Sequence, residues 1–326
     1  MIPIVLHIPH ASREVPDTDR VEIVLCDTDL VRELLLMTDA WTDELLKFSD
    51  HYDVTRVLEP VSRLVCDVER FRDDDEEDMS QVGMGAVYTS TSNGQSLRES
   101  TAETRTRILE TYYDPHHALF TQAVDEAMEK TGWCLIIDLH SFPSVPLPYE
   151  HDQSPTRPVV CIGFDEVHGH FLSGERWRSA CKSAGFTGEA NRPFSGSIVP
   201  EKYLGNENVL SVMIEIRRDL YMDESLGEKS ASFDSIAAKV RVLAEELASR
   251  ASDYMEGIIM DNIREYGSVI EDYRWEGLGA NTSPGSSFYA CVKEWNDLYA
   301  WFSDVDSAGP FSNAEDAIAG MRKHCH

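Results

Sequence analysis

With 326 residues and 42% hydrophobic content, the chain is long enough for one large core, or for a large domain joined to a small one. Its 58 acidic against 29 basic residues give a formal net charge of −29, a surface that repels nucleic acid and anionic membranes. No run reaches the ~18 apolar residues of a membrane span, the start MIPIVLHIPH lacks the charged segment of a signal peptide, and the seven Cys are scattered singly with no CxxC pair. These features predict a soluble, cytoplasmic protein with reduced, buried thiols, whose partners are small molecules.

In chain order, an apolar strand from Pro3 to Ile8 stops at His10. Residues Asp27 to Phe48 have helical periodicity, with Leu30, Leu34, Met37, Trp41, Leu45 and Phe48 three or four apart; Asp39 and Asp43 share another face, ordinarily a solvated one. Arg63 to Val68 reads as a strand, and DDDEED after it as a solvated loop. Gly83 to Thr89 is a short strand or turn without phosphate-binding spacing. A long helical stretch from Arg98 to Thr131 is interrupted near Pro115, and His116 and His117 follow that proline.

Trp133 to Ser144, WCLIIDLHSFPS, is the most informative stretch. Its short β-branched run reads as a buried strand that ends abruptly in Asp138, His140 and Ser141, and α/β enzymes place chemistry at such strand ends. Val159 to Phe164 and Leu210 to Ile216 are further strands, the latter carrying Glu215 with Arg217 and Arg218 directly after it. Phe171 to Ala184 and Ser232 to Met260 read as helices. This alternation predicts an α/β three-layer sandwich with a mixed, mostly parallel sheet over residues 1–266. Residues 267–326 change in style and predict a small α+β appendage, with two or three short strands and a helix opened by Ser312 or Asn313.

The polar residues that end strands are His10; Arg63, Asp67 and Arg70; Asp138 and His140; and Glu215 with Arg217. Two His and a carboxylate form the ligand set of a catalytic zinc site with one position open. Asp138, two residues before His140, is better placed to orient the ring than to share its ion. The bland alternative is a set of buried salt bridges without metal, and residue types alone leave both readings open.

IPHAS with Pro16, TDAWTDELL, SRLVCDVERF, GMGAVYTST, PHHAL, IIDLHS, NRPFSG and IEIRRDLYM, in this order over most of residues 3–224, resemble the N-formylglutamate amidohydrolase family. That family is similar in fold to zinc carboxypeptidases, aspartoacylase and succinylglutamate desuccinylase. The resemblance implies a zinc ion, or another divalent metal, on His10 and His140. The relatives take a carboxylate ligand three residues after the first His, where this chain has Arg13; Asp39 is the expected substitute, with Glu14 and Asp43 as fallbacks. SRLVCDVERF is similar to the RxxxDLNRxF signature, which assigns Arg63 to the scissile carbonyl and Arg70 to a substrate carboxylate. Glu69 stands where the signature has Asn. Glu215 corresponds to the general base, and Asn191, Arg217 and Ser141 are further substrate-binding candidates. The expected substrate is a small anionic N-acyl amino acid of the N-formylglutamate type. The alternatives are a carboxypeptidase-like or other N-acyl amino acid hydrolase, and a non-catalytic scaffold that keeps the fold.

Overall fold

A computed structural model describes residues 1–270 and the backbone of 288–289, 299–303 and 307–311, with side chains described up to residue 258. Six strands form one sheet: β1 (Ile2–Ile8), β2 (Tyr52–Leu58), β3 (Cys134–Phe142), β4 (Val160–Gly163), β5 (Gly188–Ala190) and β6 (Val209–Arg217). Their order is β2-β1-β3-β6-β4-β5. The first four in that order run parallel, β4 runs antiparallel to β6, and β5 lies parallel to β4. The near-continuous apolar runs of β1, β3 and β6 explain their central place, because a strand buried on both faces has no polar alternation to satisfy. The mixed, mostly parallel α/β architecture is the one the sequence predicts.

Register then decides which side chains meet. His7 of β1 is opposite Asp138 of β3, and His140 of β3 is opposite Glu215 of β6. Side chains alternate along a strand, so His7, Asp138, His140 and Glu215 all project from one face, at the carboxyl ends of parallel strands. The same face further back is apolar. There Phe120, Ala123 and Val124 of the helix Asp114–Thr131 pack on Val5, Val57 and Ile136.

Three elements differ from expectation. The helical stretch predicted over 27–48 ends at Met37; Thr38 is extended, Trp41 has φ 69°, and only a single turn, Thr42–Leu45, follows. The Asp39 N–H leaves the helix ladder to donate to the His10 carbonyl at 2.9 Å, so Asp39 is buried rather than on a solvated face with Asp43. Arg63–Val68 is not a strand. Val65 N–H closes a turn on Ser62 O at 2.8 Å and Arg70 N–H another on Asp67 O at 3.3 Å. Leu64, Cys66 and Val68 are apolar because they are buried as turns in the clusters beside the sheet. Between Ala102 and Thr131 the helix continues through a wider π turn, Leu109–Tyr113, that absorbs the missing N–H of Pro115 instead of breaking.

The chain divides into two compact units, Met1–Ala251 and Ser252–His326, whereas the change in composition placed the boundary at 266/267; the helix Phe233–Ile270 runs through both positions. In the second unit, backbone strands Phe288–Tyr289, Tyr299–Ser303 and Ser307–Phe311 form an antiparallel sheet. The helix expected from Ser312 or Asn313 lies outside the described residues. Among the described residues, no helix is long and apolar enough to cross a membrane.

Phe120 is fully buried and stacks on the His7 ring at 4.6 Å. Phe120→Ala is expected to lower unfolding free energy by about 3–5 kcal/mol, the usual cost of deleting a buried aromatic. A urea titration reads the loss directly, and a shift below 1 kcal/mol would mean that this helix does not anchor the sheet.

Candidate active site

Two imidazoles meet at the open end of the sheet. His10, two residues beyond β1, and His140 of β3 have ring centroids 5.1 Å apart. Each is gripped by buried carboxylates. His10 Nε2 is 2.8 Å from Asp67 Oδ1, and its Nδ1 is buried without a hydrogen-bond partner, 3.7 Å from Asp39 Oδ2 and 3.8 Å from Glu69 Oε2. His140 Nδ1 is 3.0 Å from Asp39 Oδ2, while its Nε2 lies 3.0 Å from Asp138 Oδ1 and 3.1 Å from Glu69 Oε2.

The carboxylates are held in turn by guanidinium groups. Arg218 donates to Asp39 Oδ1 at 2.7 Å, and Arg63 to Asp67 Oδ2 at 2.6 Å, where the Tyr88 hydroxyl also donates at 2.5 Å. The break after Met37 and the turns at 63–70 are therefore what carry Asp39, Asp67 and Glu69 to the site. A regular helix or strand there would point them elsewhere.

The electrostatics follow from this crowding. Burial alone would lower the His140 ring, but Asp138, Glu69 and Asp39 outweigh it and hold the ring well above the ordinary histidine value. His10 is raised likewise: burial and Arg63 oppose, and Asp67 and Asp39 prevail. Burial would raise Asp39, yet hydrogen bonds from His10 and His140 and the charge of Arg218 keep it well below the carboxylate range. The rings thus hold protons where a divalent cation would find lone pairs and fixed negative charge. The donor set fits such an ion, and the partnerless, buried His10 Nδ1 is the clearest sign of it. Among the described residues, two groups bring ligand atoms within 4.8 Å of one another, His10 with Glu69 and His140, and His7 with Glu69 and Asp138; Asp39 belongs to neither.

Glu215 lies beside His140, 6% exposed, and its Oε2 has no hydrogen-bond partner. Burial pushes its carboxyl up to about 8; His140 and Arg218 pull it down, while Asp39 and Glu69 add to the rise. An acid poised near neutral pH in a cleft is suited to moving a proton.

These groups line a cavity of about 1410 Å³, together with Arg63, Arg70 and Ser141. The Arg70 Nε is buried without a hydrogen-bond partner, 3.7 Å from Asp67 Oδ2. Ser141 Oγ accepts from Arg218 Nε at 3.1 Å. Other sequence candidates lie apart. Asn191 Oδ1 accepts from the backbone N–H of Phe164 and Gly196 at 2.9 and 3.3 Å, and Arg217 pairs with Asp219 at 2.7 Å; neither lines the cavity. Glu14 is exposed and Asp43 half-buried, and both are also absent from the lining. Sequence reasoning gave no part to His7, Glu59 or His116, although His7 sits two residues after Val5 on the same face of β1. The strand alternation carried that signal.

The family profile for N-formylglutamate amidohydrolase matches residues 2–222. No curated protein matches the chain. Among solved structures, the fold is similar to N-formylglutamate amidohydrolase from Ralstonia eutropha JMP134, with a TM-score of 0.66 and 22% identity, covering 78% of this chain and 95% of that one. It is also similar to the gene product Atu2144 from Agrobacterium tumefaciens, with a TM-score of 0.52 and 20% identity over 78% of this chain and 92% of that one. With the profile spanning well over half of its length, the chain belongs to the N-formylglutamate amidohydrolase family, whose chemistry is the hydrolysis of an amide C–N bond.

Proposed function

We propose that this protein is a divalent-metal-dependent amidohydrolase, with zinc as the expected ion, that cleaves the acyl group from an N-acyl amino acid of the N-formylglutamate type. The observation that carries the reading is the convergence of His10 Nδ1 and His140 Nδ1 on Asp39 Oδ2, at 3.7 and 3.0 Å, beside the buried Glu215. His10 Nε2 is hydrogen-bonded to the buried Asp67, which leaves Nδ1 as its free nitrogen, while His140 Nε2 lies 3.0 Å from Asp138 without a hydrogen-bond partner. We therefore assign His10, His140 and Asp39 as ligands. A bound divalent ion would supply Lewis acidity at the acyl carbon and acidify a water molecule to a pKa of ~7.

The remaining chemistry belongs to the chain. Glu215 takes a proton from the attacking water and returns it to the leaving amine, as microscopic reversibility requires. Arg63, locked by Asp67 and Tyr88, presents fixed positive charge to the developing oxyanion. Arg70, whose Nε makes no hydrogen bond and lies 3.7 Å from Asp67 Oδ2, grips the substrate carboxylate. That local cation is what lets a chain of net charge −29 take an anionic substrate.

A second reading has one observation in its favour. The cavity of about 1410 Å³ exceeds the range of roughly 300–1,000 Å³ typical of small-ligand sites, which suits a larger acyl group or a peptide-like substrate. Assaying N-formyl, N-acetyl and N-succinyl amino acids with added zinc separates the two.

Four outcomes are expected. Glu215→Gln should cut kcat by about 100- to 10,000-fold, the range for a lost general base, and should leave bound zinc unchanged by elemental analysis. The same variant tests the buried proton. Because Glu215 sits at about 8 against an ordinary 4.5, the metal-free protein gains stability from this group below pH 4.5 and loses it as pH rises through 8. Glu215→Gln should flatten that part of a pH series of Tm values, and an unchanged slope would place the proton elsewhere.

Asp39→Asn should strip the metal whereas Glu69→Gln retains it; the reverse pattern would transfer the ligand role to Glu69. Arg70→Ala should raise KM for a carboxylate-bearing substrate by about 10- to 100-fold, the worth of one charge-assisted hydrogen bond, with kcat little changed. An unaltered KM would locate the anion grip elsewhere.

A further inference from the structure

Behind the site a file of buried polar side chains runs under the helix Asp114–Thr131. Glu59 Oε2 is 3.0 Å from His116 Nδ1, His116 Nε2 is 2.9 Å from His7 Nε2, and His7 Nδ1 is 2.8 Å from Asp138 Oδ1. Asp138 Oδ1 then lies 3.0 Å from His140 Nε2. All are buried: Glu59 3%, His116 3%, His7 0% and Asp138 2% exposed.

Counting protons constrains this file. Between Glu59 and Asp138 there are three junctions, and each needs one proton, because two lone pairs facing at such distances in a dry interior repel. Two neutral imidazoles bring two protons. The file therefore holds one more proton than neutral rings and ionised carboxylates would supply, shared along a row of hydrogen-bonded groups. Other groups also face it. Glu69 Oε1 is 3.7 Å from His7 Nδ1, adding negative charge, and the neutral-leaning His117 ring stands 5.8 Å from His116.

We infer that Glu59, His116 and His7 are positioning residues for His140, acting through Asp138. His7 Nδ1, 2.8 Å from Asp138 Oδ1, holds that carboxylate 3.0 Å from His140 Nε2, at the edge of the ring opposite the Nδ1 that faces Asp39. The inference rests on the proposed metal role of His140 and deepens it, because it extends the machinery three residues beyond Asp138. None of these three residues touches the substrate.

The test uses the full-length chain in two arms. In the first, metal-free protein labelled with 15N-histidine is examined by NMR, with ring signals of His7 and His116 assigned by their loss in variants. Three exchange-protected protons are expected along the file, on the two rings or on an end carboxyl; two ring protons together with ionised Glu59 and Asp138 carboxylates by 13C shift would overturn the proton count. In the second, zinc affinity is measured by chelator competition. Glu59→Gln and His116→Phe should each weaken zinc binding by about 10- to 100-fold, as loss of outer partners of metal ligands does. His117→Phe, which removes a hydrogen bond to the Val68 carbonyl but keeps an aromatic ring against Tyr113 and His116, should not weaken it. Wild-type affinity in a folded Glu59→Gln or His116→Phe protein would sink the positioning role. If His116→Phe does not fold, Glu59→Gln and the NMR arm decide. If wild-type protein takes up no divalent ion, the metal reading fails, while the proton count still stands or falls on the NMR arm.

Discussion

The site depends on one electrostatic constraint: three buried aspartates, Asp39, Asp67 and Asp138, closed around two imidazoles in a space that water scarcely reaches. An unpaired buried carboxylate costs several kcal/mol after relaxation, so none of the three could be kept without its partners. Arg218 and Arg63 neutralise two of them from outside, and the rings do so from inside. The arrangement is therefore cooperative. Removing any one charge leaves another stranded, which is typically about 3–5 kcal/mol in a buried pair. That cost explains why the backbone gives up a helix after Met37 and a strand at 63–68 to deliver these groups.

The same constraint sets the chemistry. Negative charge from Asp39 and Glu69 adds to burial in raising Glu215, so the proton affinity of this carboxyl is set by the acidic groups around the two imidazoles. A cation arriving among those carboxylates would lower it again.

How much of this the sequence disclosed depends on the kind of signal. β3 and β6 were legible because buried parallel strands are continuous apolar runs, and Asp138, His140 and Glu215 interrupt those runs where only function or pairing tolerates them. Asp39 was reachable through resemblance, not periodicity, since the helical pattern of 27–48 runs straight over the break that buries it. Arg63–Val68 misled for the converse reason: Leu64, Cys66 and Val68 are apolar for burial in turns, and a short, mostly apolar segment cannot be distinguished from a strand by pattern alone. His116 and Glu59 were out of reach because their pairing, with His7 and with each other, depends on how the helix Asp114–Thr131 docks on the sheet, whereas His7 lay in the alternation of β1.

Glu69 ties these strands of argument together. Where related signatures carry a neutral Asn, this chain places a carboxylate within 3.1 to 3.8 Å of nitrogens on three different imidazoles, and no hydrogen-bond donor satisfies it among the described residues. A negative charge in that position strengthens the hold on protons or on a cation at the rings, but it also opposes an anion approaching Arg70 next to it. The two effects act on different parts of a substrate. Glu69 and Arg70 thus set opposite charges side by side in the wall of one cavity, one facing the imidazole cluster and the other the Asp67 carboxylate.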